Sequence, residues 1–121
     1  MESLVPGPLK VLIVDDEPSI RQMLQIALKR EGYDVVSVAG CRAAIEALGT
    51  SQQPFPVVLT DLSMPDGSGF DVLSAAKRRA AASEVILITA HSSVENAIAA
   101  MRGGAYDFVT KPFQPAEITA L

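Results

Sequence analysis

Short apolar runs alternate along this chain with segments whose apolar residues recur every three or four positions. Lys10–Val14 is the first run, and its continuous Val/Leu/Ile character predicts a strand covered on both faces. Ile20, Met23, Leu24, Ala27 and Leu28 then share one helical face, with Pro18 near the first turn and Gly32 as a stop. Asp34–Ala39 reads as a second strand, and Cys41, Ala44, Ile45 and Leu48 as a second helix face. Val57–Thr60 is the third strand, followed by a helix marked by Gly69, Val72, Leu73, Ala76 and Ala80. Glu84–Thr89 is the fourth strand. Ser92-Ser93-Val94-Glu95 has capping-box spacing ahead of a fourth helix lined by Val94, Ala97, Ile98 and Met101. Asp107–Thr110 is a short fifth strand, and Pro115 opens a fifth helix that is expected to be incomplete at Leu121. Residues 1–9, with two prolines and a glycine, read as an N-terminal arm, and residues 10–121 as one domain.

Strands alternating with helices predict an α/β fold with a parallel sheet between two helical layers. Right-handed crossovers place the C-terminal ends of all strands on one edge, where open α/β sheets bind ligands. Polar residues gather at those ends. Asp15-Asp16 follows the first strand, Asp61 the third, Thr89 ends the fourth, and Lys111 follows the fifth. Two carboxylates about 4 Å apart repel by about 1 kcal/mol in water and about 4 kcal/mol at an effective dielectric of 20. Three of them call for a cation, and Mg²⁺ suits carboxylate and carbonyl oxygens. An aspartate in such a place can act as a nucleophile toward phosphorus. Phosphoryl transfer asks mainly for positioning and charge neutralisation, which Mg²⁺ and Lys111 supply.

Bulk properties narrow the choice. The net charge of −4 shows no basic face for direct nucleic-acid binding. A single cysteine, Cys41, forms no internal disulfide and no zinc spacing, which fits a reducing, cytoplasmic setting. No apolar run approaches the ~18 residues of a membrane span, and no signal peptide is expected. Local readings also have bland counterparts. Acidic residues before a helix favour its dipole. Asp66-Gly67 reads as a plain turn. Cys41, Met23 and Met101 read as core, and Arg21 and Arg102 as solvated.

Three stretches, VLIVDDEPSIRQML, VVLTDLSMPDGSGFDVL and VILITAHSSVENAIAAMRGGAYDFVTKPF, resemble the receiver domain of two-component response regulators, most closely the nitrogen-regulatory, sigma-54 activator class. The resemblance implies a flavodoxin-like (βα)5 three-layer sandwich with sheet order 2-1-3-4-5. It implies that Asp61 accepts a phosphoryl group from a sensor histidine kinase. Asp16 then holds Mg²⁺ directly and Asp15 largely through water, with Asp61 and the Ser63 backbone carbonyl completing the ligands, and Lys111 pairs with the phosphoryl group. Thr89 and Phe108 form a switch that reshapes the surface of the fourth helix, fifth strand and fifth helix. A cis Lys111–Pro112 bond is implied too. His91 either tunes water access to the phosphoryl group or is a surface residue. Expected partners are the kinase, an output domain acting on transcription, and a second copy after phosphorylation. The domain then catalyses only its own phosphorylation and dephosphorylation. Competing readings are a Mg²⁺-dependent phosphohydrolase, which departs from D-x-D at the first strand, a receiver-like adaptor that is never phosphorylated, and a flavin module. For the flavin module, Asp15-Asp16-Glu17 would repel the cofactor's phosphate.

Overall fold

The computed structural model describes residues 9–90 and 93–119. The chain folds as β1 (Lys10–Val14), α1 (Pro18–Arg30), β2 (Asp34–Val38), α2 (Cys41–Thr50), β3 (Val57–Asp61), β4 (Ser63–Met64), β5 (Gly67–Ser68), α3 (Gly69–Arg79), β6 (Glu84–Thr89), α4 (Val94–Arg102), β7 (Asp107–Thr110) and α5 (Pro115–Thr119). Five strands form one parallel sheet in the order β2-β1-β3-β6-β7. The two-residue strands β4 and β5 pair only with each other, antiparallel, in the loop after β3. Counting the five principal strands alone, the order is the expected 2-1-3-4-5.

Alternation along each strand divides the core in two. Leu12, Val14, Val58, Val85 and Leu87 pack under α2, α3 and α4, against Ala44, Leu48, Val72, Leu73 and Ala100. Val11, Ile13, Leu59, Ile86 and Ile88 pack on the other face against Leu24 and Leu28 of α1 and Ile118 of α5. Both faces are covered, which is why these strands read as continuous apolar runs.

Some helix readings need correction. The N-cap of α4 is Ser93, whose hydroxyl accepts from the Asn96 N–H at 2.9 Å. Glu95 therefore sits one position too early to complete a box with it. Ser92 and His91 lie outside the described residues, as does the arm up to Pro8. Met101 is 53% exposed rather than core, together with Val94 and Ile98. Only Ala100 of α4 is fully buried, because this nine-residue helix presents a narrow face to the sheet. Ile45 of α2 is likewise exposed. Cys41 is buried as expected. Among the described residues no helix is long and apolar enough to cross a membrane.

Candidate functional site

The site forms where β1, β3 and β7 end. Asp15 extends the β1–β2 ladder by one step, its N–H donating to the Val38 carbonyl at 3.2 Å. Its carboxylate Oδ1 accepts from the Glu17 N–H at 2.9 Å. Its backbone carbonyl accepts from Arg21 Nη1 at 2.6 Å, so Arg21 is not simply solvated. Asp61 closes β3, and the following Leu62 N–H donates to the Ile88 carbonyl at 2.8 Å. The Ser63 backbone N–H lies near the Asp61 carboxylate and favours its charged form. Lys111 is held by its N–H to the Thr89 carbonyl at 2.7 Å, and the Lys111–Pro112 bond is cis.

Asp15 and Asp61 fall on the α1/α5 side of the strand alternation, with Ile13 and Leu59. Lys111 follows in step with Val109 of the same side. The side chains meet: Lys111 Nζ lies 3.1 Å from Asp15 Oδ2, 3.2 Å from Glu17 Oε1 and 3.4 Å from Asp61 Oδ2. Asp15, Asp16 and Asp61 each offer a carboxylate oxygen, all within 4.8 Å of one another. Asp15 and Asp61 are buried, and Asp16 is exposed.

The electrostatics are unbalanced. Burial pushes the Asp61 carboxyl above the usual aspartate range. Lys111 pulls it back, and the neighbouring charge of Asp15 pushes it up again. For Lys111, burial alone lowers the ammonium's pKa, but the close contact with Asp15 and the charge of Asp61 outweigh it and raise it. Asp15 Oδ2 is buried, and its close partner among the described residues is the Lys111 ammonium, an ion pair at 3.1 Å. A buried carboxylate oxygen needs a cation beside it. Here it faces two further carboxylates, and that donor set fits a hard divalent cation.

Thr89 and Phe108 lie on the opposite side of the sheet. Thr89 follows Leu87 in the β6 alternation and is buried. Phe108 pairs with Leu87 in register and Thr110 with Thr89, so Thr89 and Phe108 are diagonal neighbours. Phe108 is half-buried against the cluster under α4.

Asp66 does more than make a turn. Its carboxylate accepts from the Cys41 N–H at 2.8 Å and the Arg42 N–H at 3.0 Å, capping α2 from a distant loop. The N-cap of α2 is Gly40, which has no side chain to do this. A β-carbon on Gly40 would lie 2.9 Å from both Asp66 carboxylate oxygens. The missing cap was the available signal, although the sequence does not say which acid fills it. The two backbone bonds hold the Asp66 carboxyl below its usual range. A lowered folded value contributes stability that is present above the unfolded pKa and lost as pH falls through the folded one. Asp66→Ala is therefore expected to lower the thermal midpoint at pH 7. The gap to wild type should close below about pH 4, checked by paired melts at both pH values.

Comparison with known proteins agrees with this arrangement. The family described as response regulator receiver domain matches residues 11–121. The chain is 45% identical over 103 residues to response regulator protein PilR of Pseudomonas aeruginosa, covering 85% of this chain and 23% of PilR. It is 40% identical over 111 residues to the probable transcriptional regulatory protein TcrX of Mycobacterium tuberculosis, covering 92% of this chain and 47% of TcrX. The chain thus spans less than half the length of these two relatives. The solution structure of the beryllofluoride-activated NtrC4 receiver domain dimer matches with a TM-score of 0.84 at 38% identity, covering 92% of this chain and 90% of that one. With the sheet order, the acidic cluster beside a lysine and the match over residues 11–121 all in agreement, this chain belongs to the response regulator receiver domain family of two-component signalling.

Proposed function

We propose that Asp61 is the phosphoacceptor of this receiver and that Asp15, Asp16, Asp61 and the Ser63 carbonyl hold Mg²⁺. One observation carries the reading: three carboxylate oxygens within 4.8 Å of one another, beside one half-buried ammonium. When bound, Mg²⁺ neutralises charge on the phosphoryl oxygens and on the acidic cluster. An Asp61 carboxylate oxygen attacks the phosphorus of a kinase phosphohistidine. A P–O bond forms, the P–N bond breaks, and its electron pair returns to the imidazole nitrogen. Lys111, already 3.4 Å from Asp61, turns its ammonium toward the new phosphoryl group. The Thr89 hydroxyl donates to a phosphoryl oxygen, and this movement repacks its diagonal neighbour Phe108. The domain promotes only its own phosphorylation and dephosphorylation.

The signal leaves through α4, β7 and α5. Val94, Ile98, Met101 and Tyr106 are exposed there and suit a second copy of the chain or an output domain. Residues 1–9 serve as an arm and 10–121 as the receiver of a cytoplasmic transcriptional regulator whose output lies in another domain. The partners are a sensor histidine kinase and that output domain, and this segment does not itself contact nucleic acid.

The test is incubation with acetyl phosphate, with Mg²⁺ or with a chelator. Hydroxylamine-labile phosphate is expected on the protein with Mg²⁺ and not with the chelator. Labelling indifferent to the metal, or phosphate stable to hydroxylamine, would overturn the assignment.

A further inference from the structure

We infer that Arg21 is a positioning residue for the divalent cation, clamping the Asp15–Asp16 peptide so that the Asp15 and Asp16 carboxylates stay gathered with that of Asp61. The inference rests on the proposed reading of the acidic cluster as a cation site.

The polar atoms of Asp15 are almost all committed. The N–H is spent on Val38, Oδ1 on the Glu17 N–H, and the carbonyl on Arg21 Nη1 at 2.6 Å. Oδ2 pairs with the Lys111 ammonium at 3.1 Å, on a side chain 2% exposed. A buried carboxylate fixed in this way, with a cation already against its second oxygen, is preorganised for a cationic ligand. Arg21 reaches back six residues to do its part. Its own N–H donates to the Glu17 carbonyl at 3.1 Å. The loop Asp15–Arg21 is therefore closed at both ends.

The choice of acceptor is informative. A guanidinium beside acidic residues ordinarily forks onto a carboxylate. Here none of the ion pairs among the described residues involves Arg21, and the carboxylates pair with Lys111 alone. Arg21 thus orients the backbone that carries Asp15 and Asp16 without occupying the oxygens a metal needs. Released from the clamp, the Asp15–Asp16 peptide can rotate and carry the exposed Asp16 carboxylate away from Asp61.

Positioning and simple charge predict opposite signs. Removing a nearby cation by charge alone tightens Mg²⁺ binding. Losing the clamp weakens it. By calorimetry, Arg21→Ala is expected to weaken Mg²⁺ roughly tenfold, with Arg21→Lys in between because one donor and the charge survive. In acetyl phosphate labelling, the Mg²⁺ concentration for half-maximal rate should rise in parallel, with a smaller loss at saturating Mg²⁺. Far-UV dichroism and metal-free melts control for folding. If Arg21→Ala does not fold, Arg21→Met, which keeps the aliphatic stem, carries the same expectation. Affinity unchanged or tighter in a folded variant would overturn the inference while leaving the cation site standing. No Mg²⁺ uptake by the wild-type protein would instead overturn the site reading itself, and the inference with it.

Discussion

Asp61→Asn is expected to abolish hydroxylamine-labile phosphate from acetyl phosphate and Mg²⁺. The rate should fall at least about a hundredfold, or about 2.7 kcal/mol on the barrier. The amide is nearly isosteric, so the loss reports nucleophilicity rather than packing. The same substitution should make the metal-free protein more stable. Burial and the charge of Asp15 raise the Asp61 pKa, despite Lys111. A raised folded value means stability that is full below the unfolded pKa and lost as pH rises through the folded one. At neutral pH, then, the ionised Asp61 costs stability, and the neutral amide removes that cost. Thermal melts without metal should show a higher midpoint for Asp61→Asn. Added Mg²⁺ should raise the wild-type midpoint more than the variant's. A metal-free midpoint below wild type would mean that the pairing with Lys111 outweighs burial and the repulsion from Asp15.

Gly69→Ala should give the largest loss of stability. Gly69 opens α3, and its N–H donates to the Leu62 carbonyl at 2.8 Å. A β-carbon there would run into the Asp61 carbonyl oxygen and come within 2.9 Å of Leu62 Cα. Both obstacles are backbone, so no side chain can swing aside. The expected cost is about 1–3 kcal/mol, or a fall of roughly 4–12 °C in the midpoint. Relief of the clash moves the end of β3, so Mg²⁺-dependent labelling of Asp61 should fall as well. Gly49→Ala is the control. Nothing lies within 4 Å of a β-carbon at that helical position, and the change should be neutral or stabilising by up to about 1 kcal/mol. If the two variants melt alike, close backbone approach does not constrain Gly69.

Most of the architecture was legible in the residues themselves. Continuous Val/Leu/Ile runs mark β1, β3 and β6, which are covered on both faces, and all five principal strands lie where the sequence predicts them, with ends shifted by at most one residue. The alternation of strand and helix dictates one edge for Asp15, Asp16, Asp61 and Lys111, because parallel strands all end on the same side. Chemistry carried in order along the chain is therefore legible from the residues alone. The roles of Thr89 and Phe108 came from family resemblance, since a threonine ending a strand has no signature of its own.

Other features depend on contacts between residues distant in sequence, which periodicity does not encode. Helical spacing marks Met101 and Ile45 as apolar-face residues, yet both are exposed. How wide a stripe a helix buries depends on the neighbours it meets. The remote cap from Asp66 onto α2 joins positions 24 and 25 residues apart. The clamp of Arg21 on the Asp15 carbonyl needs the turn before α1 to close at a particular angle. By itself the sequence determined the fold class, the sheet edge and the inventory of reactive groups, because these follow from local pattern and chain connectivity. Only the tertiary structure decided which partners the Asp15 oxygens take, which acid caps α2 and which glycine admits the backbone, because those outcomes are set by distances of a few ångströms between distant segments.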